Sequence, residues 1–207
     1  MYWRNPYFSN KWEVVVFLYP LDKMSGLFDV VSTSCFHVIA PPTRASIRKI
    51  NEHFGVPLPP SMVDFVQSVQ CYGSLFAGLG EDYNNQMHII KINSQYRKMR
   101  RRKHGDKWRR ALPREFIVIN HGHDDDCNCI DTGDWNAASG EYRLTYWCPG
   151  LEQFDHKDDS FLHYINRQLM YRAKHYAKYR NYSDRNRDVY EKITRILGEG
   201  WEARLRT

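Results

Sequence analysis

His121, His123, Asp124, Asp125, Asp126, Cys127 and Cys129 put every common metal-ligand type within nine positions. Imidazole, carboxylate and thiolate are the groups that zinc takes, so a structural or catalytic metal site is the first chemistry to weigh. Structural zinc sites usually draw on two separated C-x-x-C knuckles, since one short segment cannot place four ligands tetrahedrally without straining its backbone. Here there is only C-x-C. If the segment is a strand hairpin, Cys127 and Cys129 share a side of one strand, while His121 and His123 share a side at the end of the other. A four-ligand site across the hairpin is then geometrically open. The simpler reading gives the turn to Asp and Asn and makes the cysteines small buried hydrophobes. We favour that reading, and with it expect no metal and no cofactor.

A second constellation is basic. Arg97, Lys98, Arg100, Arg101, Arg102, Lys103, Lys107, Arg109 and Arg110 are opposed only by Asp106. A helix carrying Arg97, Arg100, Arg101 and Lys103, with Trp108 nearby, would contact phosphates and stack a base. Basic runs on loops are more often solvated or meet an acidic protein surface, where complementary potentials steer encounter and reject wrong partners. Nucleophilic catalysis has little to stand on: Ser74 in GSLFAG does not complete G-x-S-x-G, and neither H-E-x-x-H nor a P-loop occurs. Glu81 and Asp82 on a glycine-bearing loop read as exposed neighbours rather than an acid and a base. The chain is not read as an enzyme. The tail tyrosines Tyr164, Tyr171, Tyr176, Tyr179 and Tyr182 fall on several faces of a helix, some for the core and others as interface anchors.

These groups need elements to hold them. Glu115 to His121, Cys127 to Asp131 and Glu141 to Trp147 read as three strands of a meander, rich in β-branched and aromatic residues and bounded by Gly, Asp and Asn. Residues 12 to 19, WEVVVFLY, predict a strand or a short buried helix stopped by Pro20. Thr43 can cap a helix with Ile47, Ile50 and Phe54 on one side and Gly55 at its end. After VPLPP, Pro60 suits the first turn of a second helix, with Met62, Phe65, Val66 and Val69 as its stripe and Gly73 as its end. Residues 73 to 86 read as a glycine loop, and MHIIKIN after it as a fourth strand. A long helix from Asp158 or Asp159 carries Phe161, Ile165, Leu169 and Tyr176. A last one from about Asp184 carries Val189, Ile193 and Leu197 and stops at Gly198. Helices before and after a strand cluster, without βαβ alternation, predict an α+β fold: an antiparallel or mixed sheet of about five to six strands with helices packed on it and a helical C-terminal extension.

At 207 residues the chain can bury one sizeable core, and a single domain is expected. Its composition is globular, with 42% hydrophobic and 14% aromatic residues. The net charge of +6 arises from 30 basic and 24 acidic residues, a mixed surface with a basic excess that permits a polyanionic partner. Five cysteines at irregular spacing, behind a first segment MYWRNPYFSN without signal-peptide character, point away from a secreted disulfide scaffold and toward the cytoplasm. The longest apolar run, from Val14, is too short to span a bilayer.

The order of these pieces resembles a known family. E-x-x-F-G-V-P-L-P-P-S-M-V-D-F from Glu52 to Phe65, a glycine-bearing loop, L-P-R-E-F-I-V-I-N from Leu112, the acidic turn with C-I-D, a final strand and a helix near Phe161 together resemble the SMI1/KNR4 or SUKH superfamily over roughly residues 44 to 170. The resemblance implies an α+β sheet covered by helices and no catalytic apparatus. It further implies, for a bacterial member, an immunity protein that binds a polymorphic toxin domain and blocks it. Residues 1 to 43 and the tail from 171 to 207 lie outside the pattern, and the basic stretch before Leu112 is heavier than the family leads one to expect. On this reading the partner is a cognate toxin, with nucleic acid as the alternative partner of residues 97 to 110. The contacts fall on loops placed by the sheet: Glu81, Asp82, Arg100, Arg101, Arg102, Asp124, Asp125 and Asp126. A monomer or weak homodimer is expected.

Overall fold

The computed structural model describes residues 19–31, 42–68, 88–98, 103–104, 107–108, 112–121, 127–147 and 154–204. Helix α1 (Leu21–Val31) opens behind Pro20, whose carbonyl accepts from the Met24 N–H at 3.1 Å. It buries Met24, Leu27, Phe28 and Val31, the i, i+3, i+4, i+7 stripe of a core-facing helix. Helix α2 (Arg44–Phe54) is capped as its sequence predicts. Thr43 Oγ1 accepts from the Ser46 N–H, and Gly55, at φ 73°, donates its N–H to the Asn51 carbonyl. A side chain at Gly55 would meet no neighbour, so its need for glycine lies in the left-handed backbone alone. The Asn51 side chain accepts from the Leu58 N–H at 3.0 Å and fixes the proline linker into α3 (Pro60–Ser68), which buries Met62, Phe65 and Val66.

Helix α4 (His88–Lys98) corrects the strand expected at MHIIKIN. Ile89, Ile92, Asn93 and Tyr96 are all buried, and their i, i+3, i+4, i+7 spacing is helical. After it come two short strands, β1 (Lys103–His104) and β2 (Lys107–Trp108), paired antiparallel as a separate ribbon. The main sheet contains β3 (Phe116–His121), β4 (Cys127–Asn136), β5 (Glu141–Trp147) and β6 (Phe154–Asp158), antiparallel throughout in the order β3-β4-β5-β6. The fold is thus α+β with an antiparallel sheet, as expected, and the described residues supply four strands of the main sheet and two of the ribbon. Helix α5 (Phe161–Lys178) starts after Ser160, whose hydroxyl accepts from the His163 N–H, just beyond the start expected at Asp158 or Asp159. Helices α6 (Asp184–Leu197) and α7 (Trp201–Arg204) follow, the first with Val189, Ile193 and Leu197 buried and Gly198 at its end, as expected. The strand or helix expected over residues 12 to 19 and the turn at Gly73 lie outside the described residues.

The sheet is covered on both faces. Ile117, Ile119, Ile130 and Leu144 join the main core with α1, α3, α5, α6 and Trp201 of α7. Phe116, Val118, Cys127, Cys129 and Trp147 join a second cluster with Ile92, Tyr96 and Leu112. The alternation along β3 explains why its sequence is apolar without a break: a strand covered on both sides cannot spare either set of positions. Helix α4 straddles the β3 edge, giving Ile89 to the first cluster and Ile92 and Tyr96 to the second. Between them Asn93, fully buried, accepts from the Val118 N–H at 2.8 Å and donates to the Val118 carbonyl at 2.9 Å. Its amide also donates to the Ile89 carbonyl at 2.8 Å. One side chain therefore satisfies both backbone groups that an edge strand leaves unpaired.

Candidate functional site

The acidic turn is carried by the β3–β4 hairpin, whose last paired residues are His121 and Cys127. Asp124, Asp125 and Asp126 lie outside the described residues, and so do Glu81, Asp82, Arg100, Arg101 and Arg102. The cysteines beside the turn are described. Cys127 and Cys129 are fully buried on one side of β4, as i and i+2 on a strand must be, with their Sγ atoms 3.4 Å apart. Burial pushes the Cys129 thiol well up, and the Cys127 contact and the Asp131 charge push the same way. A thiol held protonated among Val118, Tyr96 and Trp147 is a poor ligand and a poor nucleophile, and it packs as a small hydrophobe. Among the described residues no three His, Cys, Asp or Glu side chains converge as a metal site would require.

The basic segment is divided between elements. Arg97 and Lys98 close α4, but Lys103 belongs to the β1–β2 ribbon, so the expected single helix from Arg97 to Lys103 does not form. Arg97 serves the fold: its guanidinium donates to the Arg114 carbonyl at 3.3 Å and stands 5.5 Å from the centre of the Phe54 ring. It thereby ties α4 to α2 and to the turn that enters β3.

The charged groups at the other end of the sheet are joints between elements. Glu141, 5% exposed at the start of β5, uses both carboxylate oxygens. One accepts from the Ser61 N–H at 2.6 Å; the other accepts from the Ser61 hydroxyl at 2.7 Å and the Phe161 N–H at 3.3 Å. A single carboxylate thus caps the N-termini of α3 and α5, where the helix dipoles favour negative charge. Arg143 bridges Asp134 at 2.8 Å and Asp159 at 3.2 Å, and these two bonds, that to Asp159 first, raise its pKa. Arg167 grips Asp158 with two parallel bonds of 2.9 and 2.6 Å while lying over the Tyr164 ring. Burial alone would lower the Arg167 pKa, but the Asp158 bonds and charge outweigh it and raise it. Each cation here is matched, an arrangement suited to locking β6 and α5 together.

What the sheet does not absorb is aromatic. Trp135 is half exposed at the β4–β5 turn, its ring edge-on to Tyr142 at 5.0 Å. The larger group is on the tail: Tyr171 and His175 lie at i and i+4 along α5, Tyr179 follows at i+8 as its C-cap, and Tyr182 stands in the turn beyond. The tyrosine spacing was visible in the sequence, but which rings face solvent was not. That depends on where α6 crosses α5.

Comparison with known proteins places the described frame. No curated protein and no solved structure matches the chain. Among family models, the SMI1 / KNR4 family (SUKH-1) matches residues 41–167, from the cap of α2 to Arg167. That span includes the proline linker, the second Leu-Pro, the hairpin and the Glu141 joint, and it is more than half of the sequence. The chain belongs to the SMI1 / KNR4 family (SUKH-1).

Proposed function

We propose that the protein is an immunity protein that binds a polymorphic toxin domain and neutralises it by occlusion, without turnover, in the cytoplasm of a bacterium. The observation that carries this is membership of a family known for immunity-protein domains. The described frame supports it: both sheet faces are covered, and the buried carboxylate and the inter-element cations hold helices and strands together. Recognition is then left to loops and to the outer helical surface. The proposed contacts remain Glu81, Asp82, Arg100, Arg101, Arg102, Asp124, Asp125 and Asp126, presented by a single unit of residues 1–207. Among the described residues no helix is long and apolar enough to cross a membrane.

The experiment is affinity capture from lysate of the source cells after nuclease treatment and a high-salt wash, followed by co-expression. The expected result is a protein whose C-terminal domain stops growth when expressed alone and is tolerated when this chain is present. Triple charge reversal at Arg100, Arg101 and Arg102 separates the readings. Loss of protection alone supports toxin binding, whereas loss of RNA or DNA binding with protection intact would replace it with a nucleic-acid role for residues 97 to 110.

A further inference from the structure

We propose that the outer face of the α5–α6 tail, centred on Tyr171, Tyr179 and Tyr182, is a docking surface for an acidic face of a partner protein. The identification of that partner as the toxin rests on the reading above; the surface itself does not. It lies beyond the family-matched span, which ends at Arg167.

Three observations carry it. The first is exposure of costly surface: of the four exposed large hydrophobics among the described residues, Tyr171 (63%), Tyr179 (36%) and Tyr182 (86%) are gathered here. Single exposed rings are ordinary, whereas a local group of tyrosines on one rigid element is what interface anchors look like. The second is preorganisation. The Tyr179 carbonyl accepts from the Tyr182 N–H and from the Asn186 side chain, both at 3.0 Å, so the turn that presents Tyr182 is fixed before any partner arrives. Tyr182 and Tyr179 pack at 6.4 Å with their planes at 89°. A tyrosine has only two side-chain torsions, and holding it in advance removes part of the ordering cost of binding.

The third is charge. From Tyr171 to Asp188 the sequence carries Arg172, Lys174, Lys178, Arg180, Arg185 and Arg187 against Asp184 and Asp188, a basic excess that remains after Arg187 bridges Asp184 at 3.3 Å and Arg180 bridges Glu202 at 3.0 Å. Anionic partners are therefore selected, and the ring geometry distinguishes between an acidic protein and a nucleic acid. The Tyr179 ring has the His175 imidazole tilted over it at 4.7 Å and the Lys178 ammonium 5.1 Å from its centre. Base stacking needs an open ring face, and the central ring of this group is already engaged. Phenol hydroxyls, ammonium and guanidinium groups all donate hydrogen bonds, which suits carboxylates.

The test uses the full chain, labelled with nitrogen-15, and two probes: a peptide of alternating Glu and Gly, and an oligouridylate of equal charge. The peptide is expected to shift the amide signals of residues 171 to 182, and Tyr171→Ala with Tyr182→Ala to weaken it at least about tenfold while the circular dichroism spectrum is unchanged. Lys178→Glu should weaken it as well. Shifts located elsewhere, binding indifferent to these substitutions, or tighter saturation of this face by oligouridylate would each overturn the proposal. A wild-type chain that fails to protect cells from any captured partner removes the toxin reading and leaves the peptide titration to decide the surface independently.

Discussion

Helix α5 contains two regions of similar composition and opposite use. From Phe161 to Met170, Phe161, Tyr164, Ile165, Asn166, Leu169 and Met170 are buried; from Tyr171 to Lys178 only Ala173 is. Tyr164 lies wholly inside, whereas Tyr171 is 63% exposed, so residue type does not separate the halves. Position does. The first half lies in the main core, where each missing atom leaves a void, and the second half is fully buried only at Ala173. A single helix can therefore keep one half for stability and free the other for contact.

That contrast can be broken first at Phe161. Its ring meets Phe65 and Tyr164 at centroid distances of 5.8 and 5.9 Å. Phe161→Ala is expected to cost about 3–5 kcal/mol, read as a lowered urea midpoint at unchanged slope. A loss below about 1 kcal/mol would mean that the two halves do not differ as described. Asn166→Leu comes next. Asn166 Oδ1 accepts the Tyr19 N–H at 3.0 Å and its amide donates to the Leu162 carbonyl. An unpaired Tyr19 N–H should cost about 1–3 kcal/mol in the same measurement.

The third test is pH. Burial, its largest cause, raises the Tyr164 hydroxyl above the ordinary value of 10.0, so above that pH the unfolded chain releases a proton that the folded one retains. The folded state then binds more protons, and stability is full below about pH 10 and falls as pH climbs past it. Denaturant midpoints measured from about pH 8 to about pH 11 should show the fall, and Tyr164→Phe should flatten it. The Cys129 thiol, also raised by burial, contributes with the same sign from its own ordinary value of 9.0. The smallest effect belongs to the exposed half. Tyr171→Ala with Tyr182→Ala should move stability by no more than about 0.5 kcal/mol per site while weakening binding of the acidic peptide.

Some of this was legible in the sequence and some was not, for reasons that follow the range of the signals. Caps are local, so Thr43, Gly55 and Gly198 marked the ends of their helices correctly. The apolar run of β3 and the boundaries of β5 were legible because strand residues there are β-branched or aromatic on both sides of turn residues. Helix α4 was misread because His-Ile-Ile-Lys-Ile-Asn looks like a strand over its short length, and its stripe includes a polar residue, Asn93, whose reason to be buried lies 25 positions away at Val118. Helix α1 is hard to read in the sequence because Pro20 looks like a stop, whereas it stands just before the first turn. Phe154–Asp158 has no β-branched residue, and pairing with β5 alone makes it a strand. All eight proposed loop contacts lie outside the described residues. The family frame that would carry them was legible in the order of Gly55, Leu58-Pro59 and Leu112-Pro113.

The Asn93 amide has a consequence for how the protein behaves in a crowd. An edge strand with free N–H and carbonyl groups is a template on which another chain can add a strand and continue the sheet. At the middle of β3 that template is already occupied, by a side chain that imitates the pairing of a neighbouring strand and by a helix that stands where the neighbour would lie. Recruitment of foreign strands through Val118 would first have to lift α4, exposing Ile92 and Tyr96 to water. At Val118 the edge is thereby closed to strand addition.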